Sequence, residues 1–171
     1  MVKVGLDFIQ EPYRHLIGSM LELFIGKLGD QLVSVVVYGS VARHEARHDS
    51  DIDVLIVADG LPPTRTERIK LFELVEDQLN GILKSLYDSG YFISFSPIMK
   101  TPAEAEIISP IYLDMVEDAV IVYDRGQFFE KILGKLSMKL KELGAERVWM
   151  GKKWYWRLKR EYRPGEVITI E

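Results

Sequence analysis

Cysteine is absent from the 171 residues, which excludes disulfides, thiolate–metal sites and cysteine nucleophiles at once. No stretch approaches the roughly 18 unbroken apolar residues that a membrane-crossing helix needs. The opening Met-Val-Lys-Val-Gly-Leu-Asp turns into a charged amphipathic stretch before it can build the apolar core of a secretory signal. A cytoplasmic protein with no membrane partner is therefore expected. An excess of positive charge is missing too: the formal net charge is -4. From Ala145 onward seven Lys/Arg face four Glu, so the tail is about +3 and the body about -7. An acidic body argues against broad duplex nucleic-acid binding, which needs a basic surface to displace counterions.

What is present is ordinary for a globular chain: 47% apolar and 28% charged residues, at a length that makes one domain the default. Glu11 to Leu28 has apolar residues at helical spacing, with Pro12 in the first turn and Gly29 as the stop. Leu32 to Tyr38 is β-branched and almost wholly apolar, the pattern of a strand buried on both faces. A polar segment, Val41 to Asp49, leads to a second strand, Asp51 to Val57. A loop rich in Gly and Pro precedes a helix that Thr64 or Thr66 caps, with Ile69, Phe72, Val75, Leu79, Ile82, Leu83 and Leu86 as its apolar stripe. Tyr91 to Ile98 reads as a third strand closed by Pro97. Thr101 to Glu104 has capping-box spacing, Ser109-Pro110 suggests another helix start, Ala119 to Tyr123 a strand, and Gln127 to Leu143 a last long helix ended by Gly144. The order predicts an α/β (α+β) body over residues 1–144, and a basic, aromatic extension over 145–171 that does not continue the rhythm.

The chemistry concentrates between Tyr38 and Asp53. A glycine directly after a buried strand lets backbone N–H groups approach a ligand, and a helix start behind it adds unpaired donors and a favourable dipole. Gly39-Ser40 thus forms a candidate phosphate cradle, with the Ser40 hydroxyl at the same place. In a strand, residues two apart share a face, so Asp51 and Asp53 converge while Ile52 between them enters the core. Two unpaired carboxylates repel and raise each other's pKa, and a cation between them resolves the conflict. Oxygen-only ligands favour magnesium, with manganese as the alternative. The bland counterpart of this group is a tight turn followed by a polar-edged strand.

Gly39-Ser40, ten residues, then Asp51-x-Asp53 resembles the Gly-Ser-x10-Asp-x-Asp signature of the nucleotidyltransferase superfamily, and the chain is similar to its small prokaryotic, antitoxin-like members. The resemblance implies a mixed β-sheet flanked by helices. It further implies that Ser40 contacts the triphosphate of a nucleotide, ATP above all, that Asp51 and Asp53 bind magnesium, and that a nucleotidyl group passes to an acceptor hydroxyl. Arg43 and Ser50 flank the same pocket and are suited to neutralise phosphate or orient a carboxylate. Family members that catalyse transfer usually carry a third carboxylate on a neighbouring strand. The corresponding Tyr91 to Ile98 contains no acid, and Ser94 or Ser96 stands at the expected place. Three options stay open: Glu104 or Glu106 reaches in, the acceptor activates itself, or the site binds nucleotide without efficient transfer. The last would suit a regulatory module, and the resemblance makes a HEPN-type protein partner its natural counterpart.

His44 and His48 lie in a polar connection without a second clustered ligand set, and read as solvated surface. In the tail, aromatic and cationic residues alternate from Trp149 to Arg163. Such a run can stack bases, but packing onto the body or a protein partner is the preferred expectation, with Trp154 and Trp156 turned inward and Tyr155 and Arg157 outward. Self-association is left open.

Overall fold

The computed structural model describes residues 2–161, 163 and 165–170. Five strands form a mixed sheet: β1 (Lys3–Val4), β2 (Leu32–Tyr38), β3 (Ile52–Ala58), β4 (Phe95–Lys100) and β5 (Val120–Asp124), in the order β1-β5-β2-β3-β4. β2 is antiparallel to both β3 and β5, whereas β4 runs parallel to β3 and β1 parallel to β5. All seven residues of β2 are buried, as a central strand covered on both faces requires.

One face carries α1 (Tyr13–Leu28), α3 (Arg65–Glu76) and α4 (Asn80–Asp88), whose Leu16, Met20, Phe24, Phe72 and Val75 pack on Val35, Val37, Ile52, Val54 and Ile56. The other carries α6 (Ile111–Asp118) and α7 (Phe128–Leu143), with Tyr112, Phe129, Leu133 and Leu136 against Val36, Tyr38, Leu55 and Val57. The alternation of β3 thus sends Ile52, Val54 and Ile56 to one side and Leu55 and Val57 to the other. Asp53, in phase with Leu55, lies on the α6–α7 side.

Local signals fix the helix ends. Thr64 caps α3 by accepting the Glu67 N–H, and Thr101 and Glu104 form a complete capping box at α5 (Pro102–Glu106). Gly144 ends α7 in the left-handed conformation. Asp124, at the end of β5, accepts from the Phe129 and Glu130 N–H groups and from the buried hydroxyl of Ser34.

Three expectations need correction. The helix from Thr64 to Leu86 is divided, because a tight turn at Asp77–Leu79 separates α3 from α4. The third strand begins at Phe95 rather than Tyr91, since Tyr91 and Phe92 give their N–H groups to Leu86 and His48 outside the sheet. It also continues through Pro97 to Lys100, because β4 is an edge strand and tolerates a missing donor. Beyond α7, β6 (Glu146–Met150) and β7 (Lys153–Arg157) form an antiparallel hairpin where no regular element was expected. Its tight turn is closed at Gly151, which takes φ 64°.

Candidate active site

Antiparallel pairing of β2 with β3 places Asp53 directly opposite Tyr38, so the chain's turn into Gly39 and its acidic pair arrive at the same end of the sheet. Gly39 opens α2 (Gly39–Ala42), a single helical turn whose first N–H groups have no intrahelical acceptor. Its φ is +71°, and a Cβ built on it would lie 2.0 Å from Asp53 Oδ2 and 3.0 Å from Asp53 Cγ. The Asp53 carboxylate therefore occupies the space a side chain at position 39 would fill. Only glycine satisfies both the backbone angle and this approach.

Asp51 lies just before β3 and is exposed, whereas Asp53 is half-buried. Parallel pairing sets Ser96 beside Asp53, and Ser94 Oγ donates to Asp51 Oδ1 at 2.5 Å. Burial, and then the charge of Asp51, push the Asp53 carboxyl above its ordinary pKa, while a hydrogen bond from Ser96 and the charge of Arg43 oppose the rise. Burial, with Asp53 behind it, pushes the Tyr38 phenol up to about 12. Two carboxylates and two hydroxyls are hard oxygen donors of the kind magnesium takes, and the strained carboxyl of Asp53 would be relieved by a cation.

The loop between α2 and β3 is clamped at several points. His44, at φ 60°, hydrogen-bonds the Phe8 carbonyl through Nε2 at 2.7 Å. Tyr13 Oη donates to the Arg47 carbonyl at 2.6 Å, and the Phe92 N–H to the His48 carbonyl at 2.7 Å. Ser50 accepts the Arg47 N–H at 2.9 Å and so closes the turn that leads into Asp51. His44 and His48 are both exposed, as expected of surface residues; His44 braces the loop through its ring nitrogen and His48 through its backbone carbonyl.

No third carboxylate joins Asp51 and Asp53: among the described residues no group of three or more His, Cys, Asp or Glu side chains is placed to hold a metal. Glu104 is held bidentately by Arg68 at 2.6 and 3.0 Å, beyond the far end of β4. That pairing holds its carboxyl down at about 2. Glu106 is exposed and lines a cleft of 1520 Å³ beside α7. Ser94 and Ser96 remain the groups facing the acidic pair, as the strand alternation predicted.

Sequence reasoning missed the surroundings of Arg43. Its Nε donates to Glu45 at 2.8 Å, its Nη1 lies 3.9 Å from the buried Asp118, and its guanidinium carbon sits 4.8 Å from the Trp154 ring centroid. Arg147 of β6 grips Asp118 bidentately at 2.5 and 3.2 Å. Trp154 and Trp156 both donate their indole N–H to Asp114, at 2.8 and 2.9 Å. The alternating Lys153-Trp-Tyr-Trp-Arg157 was the available signal: two tryptophans inward, the exposed Tyr155 and Arg157 outward.

Residues 19–109 match the nucleotidyltransferase domain family, and the chain belongs to it. A relative in Methanocaldococcus jannaschii, named "Putative protein adenylyltransferase MJ1305", is 28% identical over 136 residues, covering 78% of this chain and 87% of the relative. Solved structures that resemble it include a toxin–antitoxin complex with AMP-PNP, with TM-score 0.44, 14% identity and coverage of 74% of this chain and 91% of that one. Another is the tri-AMPylated Shewanella oneidensis HEPN toxin in complex with MNT antitoxin, with TM-score 0.43, 12% identity and coverage of 77% and 92%. No helix among the described residues is long and apolar enough to cross a membrane.

Proposed function

We propose that the protein is a magnesium-dependent nucleotidyltransferase that passes AMP from ATP to a hydroxyl of a protein or small molecule. The observation that carries this reading is the contact of the Asp53 carboxylate with Gly39, which joins an anion cradle to an acidic pair at one point. Membership of the nucleotidyltransferase domain family and the name of the archaeal relative support it. In this reading Gly39 and Ser40 receive the triphosphate, Arg43 neutralises phosphate charge, and Ser50 shapes the approach to Asp51. Asp51 and Asp53 hold magnesium, or manganese in its place. The cation would neutralise charge on the phosphates during displacement. The acceptor hydroxyl oxygen forms a bond to the α-phosphorus and releases its proton to solvent, the bond to the bridging oxygen breaks, and pyrophosphate leaves with that electron pair. The chain contributes position and charge rather than covalent chemistry.

The serines facing the acidic pair favour a second reading. Without a third carboxylate the domain would bind magnesium and ATP and act through a protein partner, a HEPN-type protein being the one the sequence resemblance raised. Incubation with α-labelled ATP and magnesium separates the two. Label appearing on an acceptor marks a transferase; tight binding with no transfer marks a module. In either case Asp51→Ala and Asp53→Ala abolish magnesium-dependent nucleotide binding, and wild-type binding by both variants would overturn the assignment. The C-terminal segment from Ala145 is read as an extension of the nucleotidyltransferase body that packs on it, and its basic surface as a minor candidate for nucleic-acid contact.

A further inference from the structure

Arg43 follows the turn that holds Gly39 and Ser40, its charge acts on Asp53, and its setting is built from distant parts of the chain. Glu45 fixes its Nε from within the loop. The guanidinium carbon lies over the Trp154 ring of β7, 4.8 Å from its centroid, and Asp118 at the end of α6 stands at ion-pair range. Neither neighbour is free to drift. Asp118 is buried and is held bidentately by Arg147 of β6. Trp154 is tied to Asp114 by its indole N–H, meets the Trp149 ring at a tilt of 54° with centroids 5.0 Å apart, and has the Arg147 guanidinium 5.2 Å from its ring centroid.

We propose that the C-terminal hairpin is part of the nucleotide site, with Trp154 as a positioning residue that holds Arg43 for the triphosphate. This rests on the reading of Gly39, Ser40 and Arg43 as the phosphate-binding group. The physical case is one of preorganisation. An arginine side chain that must be ordered on binding loses rotamer entropy, whereas one already seated on an aromatic face loses much less. Asp118 lies at 3.9 Å rather than in a tight bidentate pair with Arg43, because Arg147 already occupies its two oxygens. Arg147 thereby stops Asp118 from capturing Arg43, and leaves the guanidinium seated but available to an anion. The hairpin thus acts through Arg43, not as a second phosphate contact.

The test is a double-mutant cycle on the full chain, with magnesium and α,β-methylene-ATP as the probe and calorimetry as the readout. Arg43→Ala and Trp154→Leu are each expected to weaken binding about tenfold. Combining them is expected to be no worse than Arg43→Ala alone, because the tryptophan has nothing left to position. Trp154→Phe, which keeps a ring beneath the guanidinium, is expected to restore most of the loss. Should Trp154→Leu fail to fold, as melting would show, Arg147→Ala serves instead: freeing Asp118 to capture Arg43 is expected to weaken binding only while Arg43 is present. Losses that multiply to about a hundredfold, or hairpin variants that bind like wild type while Arg43→Ala does not, overturn the proposal. A wild-type chain that binds no probe at all defeats the nucleotide reading itself.

Discussion

Replacing Gly39 by alanine tests the geometry of the site most directly, because it leaves every proposed ligand in the sequence. Two penalties fall on the variant. An L-residue at φ +71° costs about 1–2 kcal/mol. The new methyl would also stand 2.0 Å from Asp53 Oδ2, where ordinary contact begins at 3.4 Å. The carboxylate must therefore retreat by about 1 Å or more, and crowding of this kind costs roughly 1–3 kcal/mol. Urea denaturation should show a total loss of about 2–5 kcal/mol. In an Asp53→Ala background only the backbone penalty and a mild contact with the Asp53 Cβ remain, so the same substitution should cost about 1–2 kcal/mol. The difference is a coupling energy that belongs to one contact. Binding of magnesium and ATP should fall about a hundredfold, since a displacement near 1 Å is enough to misplace a reacting group. Additive costs within about 0.5 kcal/mol, or normal binding by Gly39→Ala, would refute the reasoning.

Asp53→Asn should raise the melting temperature of the metal-free protein near pH 7. The folded-state pKa of Asp53 lies above its ordinary 3.8, so the native chain holds the proton more tightly and wild-type stability falls as pH rises through that window. The advantage of the amide should vanish as pH drops toward 3.8, and an unchanged advantage there would count against it. Glu104 behaves oppositely. Its pKa, lowered from 4.5 to about 2 by Arg68, supplies stability that is present above pH 4.5 and lost as pH falls through about 2. Glu104→Gln should therefore cost about 1 kcal/mol or less at neutral pH, the pair being partly exposed, and the gap to wild type should close over that range. Asp124→Ala removes a cap from α7 and the partner of buried Ser34, with an expected loss of about 2–4 kcal/mol in denaturant.

Four strands of the main sheet, β2 to β5, and the caps were legible because each is written locally: the β-branched run before Gly39, the Thr101–Glu104 spacing, the glycine after Leu143; the two-residue β1 and the C-terminal hairpin were not. The placing of Ser94 and Ser96 beside the two acids was legible for the same reason, since period-two alternation survives a mistaken strand boundary, whereas Asp51, expected in the strand, falls just before it and acts on Asp53 through its charge. That the Asp53 carboxylate lies on Gly39 was not, because it depends on the pairing of Tyr38 with Asp53 across fourteen residues. The setting of Arg43 was further out of reach, since Asp118 and Trp154 are brought to it only by the packing of α6 and the hairpin. Pro97 misled for a physical reason. Proline usually closes a strand, but an edge strand does not need the donor it lacks.

The two margins of the sheet share a property. On one side β1 offers only Lys3 and Val4, and on the other β4 carries Pro97 at its centre. A neighbouring copy seeking to add its own strand would find too short a ladder at the first margin and an interrupted row of hydrogen-bond donors at the second. Crowding many copies together should then not zip their five-stranded sheets into a continuous ribbon.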